Sequence, residues 1–411
     1  MRIGLFTDTY PPYINGVSTS IAMLKKALEK KGHQVFVVAI NPENGKYSYE
    51  ENGKVIRIPG IPIPIYDYRL SGIYPVRIIK KIRKWNLDVI HSHTEFGVGT
   101  FARIIAKQFN IPLVHTYHTM YEDYVHYITK GYFDGASKKI VEYLTKFYCD
   151  KTTTELIVPT KKTYDFFKEK YHVDRNIYIV PTGIEIERFY KEKHKEKDTD
   201  LLRKKLGLTK SDKVILFVGR LGKEKSVDVL IDGHASIIKK YSNAKLLIIG
   251  DGPDMDHFRK LVSKHKLEDK VLLIGKVPWE EIPKYYQLAD IFATASRTET
   301  QGLTVIEAMA ASIPVVAADD ESFKNIIIDD LNGYLFKNKR MYVSKIEKLL
   351  SDEKKLEKMG NQARLSTEPY STKYFAEKVL AVYKSALAHK PKDRSFLGRL
   401  KSVVKSGFNG K

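Results

Sequence analysis

Twice in this chain, short and almost purely apolar runs alternate with amphipathic helical stretches, and that alternation leaves few folds open. The first series has a strand over 2–7, a Pro-rich loop, a helix over 17–31 stopped by Gly32, and a strand over 34–40. Helix and strand alternate again over 76–85 and 89–91, and over 98–108 and 113–115; a strand over 157–159, a helix over 161–171 and a strand over 177–180 follow. The second series begins at 214: strand 214–218, helix 227–240, strand 245–249, helix 254–265, strand 271–274, helix 280–288, strand 290–294. Helices over 341–350, 353–363 and about 371–389 end the pattern. Strands apolar on both faces need cover on both, and parallel neighbours need a crossover that a helix supplies. The predicted fold class is α/β, as two doubly wound Rossmann-like domains facing a cleft. The expected domains are 1–185 and 186–370, and 411 residues suit two domains better than one. Residues 41–75, punctuated by Pro59, Pro62, Pro64 and Pro75, read as irregular. Residues 119–147 read as partly helical and 191–200 as a charged surface excursion.

Charge narrows the partners. Lys and Arg outnumber Asp and Glu, giving a formal net charge of +21, which calls for an anionic partner: nucleic acid, anionic lipid or a phosphorylated substrate. No zinc-finger spacing, basic zipper or RNA-binding aromatic signature is present, so nucleic acid is not expected. The single cysteine, Cys149, excludes an internal disulfide framework and fits a reducing compartment, where it reads as a small buried hydrophobe. No uncharged apolar run approaches the ~18 residues of a membrane span, and the N-terminus reads as a buried strand rather than a secretory leader.

The chemistry concentrates in the second half. Glu299 and Glu307 lie eight positions apart, and between them Gln301-Gly302-Leu303-Thr304 opens a helix. A glycine-containing loop at a helix start offers backbone N–H groups and the positive dipole end, which suits a phosphate. Glu307, one turn in, can accept two neighbouring hydroxyls of a ribose; Glu299 can reach a second polyhydroxylated group across the phosphates. Sugar, diphosphate and ribose in a row describe a nucleotide sugar. The competing reading is a capping box, Thr304-x-x-Glu307, with both side chains serving only the backbone. Earlier, Gly219-Arg220-Leu221-Gly222-Lys223-Glu224-Lys225 follows a strand, so Arg220 and Lys225 can converge on one diphosphate. Two further strand-end turns, Gly250–Pro253 and Gly275–Pro278, border the same region, and main-chain groups around Val277 can meet a base. In the first half, Asn15-Gly16-Val17 stands between strand and helix, where Gly16 lets backbone approach a phosphate, although Asn-Gly is also an ordinary turn pair. His91, His93, His115 and His118 cluster in sequence; without HExxH or a cysteine partner no metal is expected, and one histidine contacting a sugar is the better reading.

These residues together resemble the retaining glycosyltransferases of family four with the GT-B fold, and the resemblance runs from end to end. It is carried by Asn15-Gly16-Val17, His118, Gly219-Arg220 to Lys225, and above all Glu299-x7-Glu307, and within that family it is nearest to bacterial diacylglycerol glucosyltransferases. The resemblance implies that Gly16 packs on the donor diphosphate and that His118 contacts the transferred sugar. It implies further that Arg220 and Lys225 neutralise the leaving diphosphate, that Glu299 holds the sugar, and that Glu307 holds the ribose. Gly302, Leu303, Thr304 and Val277 complete the expected donor site. It also implies a C-terminal helix, about 371–411, packing back on the first domain, no required cofactor or metal, UDP-glucose as donor, and diacylglycerol as acceptor.

Two basic amphipathic stretches point to an anionic membrane surface. Over 74–85, Arg77, Lys80, Lys81, Arg83 and Lys84 occur without an acid, with Ile78, Ile82 and Trp85 on one helical side. The tail, 390–411, carries seven Lys or Arg against one Asp, and each cation near such a surface contributes about 1 kcal/mol. The expected protein is cytoplasmic and peripheral on the inner face of the cell membrane. Its rivals are a soluble relative glycosylating a small or phosphorylated acceptor, and a non-catalytic basic protein binding membrane or nucleic acid.

Overall fold

The computed structural model describes residues 1–389 apart from 14, 44, 64–68, 119–142, 144 and 298. Most of the stretch read as partly helical over 119–147, and the whole basic tail, lie outside the described residues. The chain divides into two compact units, one of Met1–Val158, Tyr164–Val180 and Ala376–Lys411, the other of Pro159–Thr163 and Pro181–Phe375.

The first unit contains β1 (Arg2–Phe6), α1 (Gly16–Lys30), β2 (Gln34–Ile40), β3 (Ser48–Glu50), β4 (Val55–Ile58), β5 (Gly60–Pro62) and β6 (Arg69–Ser71). It continues with α2 (Val76–Lys84), β7 (Val89–Ser92), α3 (Gly97–Phe109), β8 (Leu113–Thr116), β9 (Glu155–Val158), α4 (Lys161–Asp165), whose first residues fall in the other unit, and β10 (Ile177–Ile179). The main sheet runs β10-β9-β8-β7-β1-β2-β4-β3, parallel throughout except that β3 is antiparallel to β4. β5 and β6 form a separate antiparallel pair with Ile61 opposite Leu70. The stretch expected to be irregular over 41–75 thus carries four strands, each of three or four residues, too short to show a period of two.

The second unit contains α5 (Glu196–Lys205), β11 (Lys213–Val218), α6 (Val227–Ile237), β12 (Ala244–Ile249), α7 (Met255–Lys264), β13 (Val271–Gly275), α8 (Ile282–Tyr286) and β14 (Ile291–Thr294). Then come α9 (Leu303–Ala310), β15 (Val315–Ala318), β16 (Gly333–Phe336), α10 (Lys339–Leu350) and α11 (Glu353–Leu365), and the chain leaves the unit within α12 (Thr372–Ala388). The charged stretch 191–200 is largely exposed, as expected of a surface excursion, and is a 3-10 turn running into α5. All strands are parallel, in the order β13-β12-β11-β14-β15-β16. Alternation along each strand feeds two cores: Ile215, Phe217, Leu246 and Ile248 pack in one layer, Val214, Leu216, Leu247 and Ile249 in the other. Helices therefore cover both faces, as an all-parallel sheet requires.

Local chemistry sets several helix starts. Asn15 caps α1 by accepting the Ser18 N–H at 2.8 Å, and Asn338 and Asp352 do the same for α10 and α11. α3 has no cap from its own neighbour; instead Oδ1 of buried Asp8, at the end of β1, accepts the Val98 N–H at 3.1 Å. From Ala376, α12 belongs to the first unit. There Glu377 pairs with Lys31 at 2.9 Å, the Tyr383 hydroxyl meets His91 Nδ1 at 2.8 Å, and the Ser385 hydroxyl donates to buried Glu155 at 2.8 Å.

Candidate active site

In an open parallel sheet, ligands bind beyond the carboxyl ends of the strands where the strand order reverses. In the second unit that point lies between β11 and β14, which are neighbours although three crossovers separate them in sequence. The loop after β11 carries Arg220 and Lys225. The loop after β14 carries Glu299, Gln301 and Gly302. Two glycines press the next loop against the Arg220 turn: a Cβ on Gly250, whose φ is +137°, would lie 1.8 Å from the Gly219 carbonyl, and one on Gly252 would lie 2.3 Å from that of Leu221. The Leu221 N–H donates to the Asp251 carbonyl at 3.0 Å, and the Asp254 N–H to the Leu221 carbonyl at 3.1 Å. The turn that holds Arg220 is thereby fixed from the side.

The structure brings Lys225 and Glu299 together as an ion pair, both side chains less than one-fifth exposed. Burial pushes the Glu299 carboxyl up, but the Lys225 ammonium, with a contribution from Lys162, takes it below the usual glutamate value, so it is a fixed anion beside a fixed cation. The Glu299 loop is held from behind. Lys162 Nζ is 3.1 Å from both oxygens of Asp320 and 3.4 Å from the Glu299 carbonyl; Ser322 Oγ donates to the same carbonyl at 2.5 Å. Buried Gln301 is pinned twice to Thr182, accepting its N–H at 2.7 Å and donating to its carbonyl at 3.0 Å. Arg220, one-third exposed, lies 3.8 Å from the nearly buried carboxylate of Glu224.

Gly302 is the N-cap of α9 at φ +75°, and a Cβ there would lie 2.5 Å from the Phe323 ring. No side chain caps α9, which rules out the capping-box reading of Thr304 and Glu307. Glu307 Oε2 instead accepts the Tyr286 hydroxyl at 2.8 Å, and the same hydroxyl lies 3.3 Å from the Thr304 carbonyl. Burial pushes the Glu307 carboxyl up to about 7, against the hydrogen bond from Tyr286 and the charge of Arg188. That guanidinium stacks 3.5 Å from the centroid of Trp279. The side chains of Val277 and Leu303 pack against the core, leaving their backbones as the parts able to face a ligand.

In the first unit, Gly16 is the first residue of α1, and its neighbour Asn15 is committed to the cap. His118 follows β8; its Nε2 lies 3.1 Å from Nδ1 of His93. The His91 ring lies tilted against His93 with centroids 4.0 Å apart and bonds Thr116 at 2.7 Å. His115 is held by Glu95 at 2.9 Å. Burial lowers all four histidines, His118 to about 4, so they work as neutral hydrogen-bonding rings. Asp8, pushed up to about 6 by burial, accepts from the Thr94 hydroxyl at 2.5 Å. Among the described residues no group of three or more His, Cys, Asp or Glu is set to hold a metal ion.

The residues expected at a membrane divide. Ile78, Ile82 and Trp85 lie in the core of the first unit, and Trp85, 6% exposed, stacks on Phe36 at 4.8 Å. The apolar side of α2 faces protein, so Trp85 leaves the expected set. Arg77, Lys80, Arg83 and Lys84 are exposed and Lys81 half-buried, with Lys81 lying 3.9 Å over the Tyr49 ring. Sequence reading did not single out Lys162, Tyr286, Arg188, Asp8 or Glu95. Lys162 stands 137 positions from the carbonyl it supports, and nothing local marks it. Asp8 has a signal, an acid at the end of the first strand.

Two family profiles match in tandem: Glycosyltransferase Family 4 over residues 14–188 and Glycosyl transferases group 1 over residues 198–366. An alpha-monoglucosyldiacylglycerol synthase of Acholeplasma laidlawii is 38% identical, the match covering 93% of this chain and 96% of that protein. A protein of the same name from Streptococcus pneumoniae is 36% identical over 82% of this chain and 75% of its own length. Among solved structures, Anabaena HepE in complex with UDP superposes with a TM-score of 0.73 at 16% identity, covering 94% of this chain and all of that one. Sucrose-phosphate synthase from Thermosynechococcus elongatus gives 0.72 at 19% identity, covering 94% and 99%. These likenesses show the fold, which is GT-B. With two consecutive domain matches and a relative this similar over nearly its whole length, the chain belongs to the family 4 glycosyltransferases.

Proposed function

We propose that this enzyme transfers an α-glucosyl unit from UDP-glucose to 1,2-diacylglycerol at an anionic membrane surface, as a step of glycolipid synthesis. The observation that carries the reading is the Lys225–Glu299 pair at the switch point of the second sheet, with Arg220 on the same turn as Lys225. The names of the two bacterial relatives support the acceptor, and HepE structures holding UDP and UDP-glucose support the donor. In this reading the bond from the sugar's anomeric carbon to the phosphate oxygen breaks, and the electron pair leaves with the diphosphate. Arg220, Lys225 and the backbone N–H groups opening α9 then face the charge that develops. Fixed cations take the place of a metal. Glu299 is assigned hydroxyls of the hexose and Glu307 those of the ribose; in the first unit, His118 is assigned a sugar hydroxyl and Gly16 an approach of backbone to phosphate. The departing phosphate takes the proton of the acceptor hydroxyl, which attacks the face it leaves and preserves the anomeric configuration. The protein works peripherally on the inner face of the cell membrane; among the described residues no helix is long and apolar enough to cross one.

The test is incubation with radiolabelled UDP-glucose, UDP-galactose and GDP-mannose over vesicles of diacylglycerol and anionic phospholipid. Label from UDP-glucose should enter the organic phase as a monoglucosyl lipid, and mild alkali, which cleaves the acyl esters, should return it to the aqueous phase as glucosylglycerol. Label that stays aqueous with every donor, or that moves only to a soluble acceptor, defeats the reading.

A further inference from the structure

We propose that the β5–β6 pair, the turn before α2 and Val76, the first residue of α2, form an apolar wedge that enters the lipid interface, while the rest of α2 supplies only charge. The proposal rests on the membrane reading above and assigns it a surface. An amphipathic helix binds a bilayer by burying its apolar face, and in α2 that face is already occupied: Ile78 and Ile82 are fully buried and Trp85 stacks on Phe36. The apolar contact must come from elsewhere.

Beside α2 the structure leaves a set of large apolar side chains in solvent. Ile61 is 75% exposed, Leu70 44%, Ile73 59% and Val76 67%. Ile61 and Leu70 are directly paired across β5 and β6, so their side chains leave the same face of the ribbon. Ile73 and Val76 follow within six residues, on the turn that Tyr74 anchors by its edge contact with Phe101 and its bond to Gln108 at 3.2 Å. Single exposed apolar residues are ordinary, but a cross-strand pair followed within six residues by two more, with a rim of charge, marks an interaction surface. The rim has one sign. Between residues 60 and 85 the sequence holds six Lys or Arg and one acid, Asp67, and Arg77, Lys80, Arg83 and Lys84 stand exposed on α2. Apolar tips beside cations match an anionic lipid surface, which presents phosphates above hydrocarbon.

The wedge is firmly based. A Cβ on Gly60 would lie 2.4 Å from Ile40, the last residue of β2, and Arg69 donates to the Gly60 carbonyl at 3.0 Å and the Pro42 carbonyl at 3.3 Å. Ser71 lies against Gly97, the first residue of α3. These contacts set the wedge at the carboxyl edge of the first sheet, the edge that carries His93 and His118. A bilayer docked there would present an acceptor hydroxyl to that edge without the lipid tails leaving the hydrocarbon.

The experiment uses the full chain with vesicles of neutral lipid and of neutral plus anionic lipid. Ile61→Ser and Val76→Ser should each lower partition onto anionic vesicles about tenfold, the effect of withdrawing one such side chain from an apolar medium, with the salt dependence unchanged. Lys80→Gln with Lys84→Gln should instead flatten the salt dependence. Ile61→Trp should show emission quenched by brominated acyl chains. Wild-type binding that both Ser variants match, with Ile61→Trp unquenched, overturns the wedge and leaves the glycolipid reading standing. A wild-type protein that binds no vesicle at any salt overturns both. Concentration-dependent dimers that Ile61→Ser abolishes would assign the patch to a second copy of the chain and also overturn the wedge.

Discussion

Lys225 and Glu299 neutralise one another across two loops, and that pairing sets what each can do. The lysine is held beside a carboxylate, where the proposed reading puts the diphosphate, and the glutamate stays ionised despite its burial. Lys225→Ala or Arg220→Ala should lower kcat by about 10²–10³, as removal of one group facing developing charge does, with the melting temperature little changed for Arg220, which is one-third exposed. Steady-state kinetics and a thermal melt check this. Glu307 behaves differently, because burial raises its carboxyl to about 7. The folded protein binds its proton more tightly than the unfolded chain does, so stability falls as pH rises from the ordinary glutamate range to about 7. Relative to Glu307→Gln, wild type should lose up to roughly 3 kcal/mol between pH 5 and 8, read from melts at the two pH values. If the ribose needs the ionised form, the donor KM of wild type should also fall as pH rises through 7, and Glu307→Gln should lose that dependence. The four charged residues proposed for the donor were marked in sequence by position, Arg220, Lys225 and Glu299 on strand-end loops and Glu307 one turn into the helix that follows. Their supports were not. Tyr286 reaches Glu307 from 21 positions away and Lys162 reaches the Glu299 loop from 137, and separations of that size leave no local pattern.

At the scale of elements, α9 shows how a motif can carry two meanings until packing chooses. Thr-x-x-Glu at a helix start fits a cap, yet Gly302 takes the N-cap position in the left-handed region and frees Glu307 for Tyr286. Gly302→Ala should therefore destabilise the second unit by about 1–3 kcal/mol through backbone strain and the clash with Phe323. It should also raise the donor KM, because Glu299 and α9 flank the same residue; a variant with wild-type melt and KM would refute this. The strand and helix alternation was legible wherever runs were long enough to repeat. It failed over 41–75, where four strands are too short to show a period. It misled at α2, since periodicity reveals an apolar face without saying whether lipid or protein covers it; Phe36, 49 positions before Trp85, settles that in favour of protein.

For the whole molecule, the informative fact is that the last described helix completes the unit that begins the chain. Two Rossmann-like repeats were readable from the recurrence of pattern, but nothing in the helical period of 372–388 names its partner. That depends on side chains such as Tyr383, which fills the space against His91 and bonds it. A chain ending at residue 375 should keep the second unit cooperative while the first loses its transition; two calorimetric transitions in the full chain, one of them absent from the truncated form, would check this. The order of synthesis then runs against the order of completion. The first unit's strands have been synthesised by residue 180, yet their closing helix is made only some two hundred residues later, on the order of ten to forty seconds at ordinary elongation rates. In that interval buried Glu155 and His91 have no partners from α12, so the amino-terminal unit must wait, open on one side, until α12 has been made.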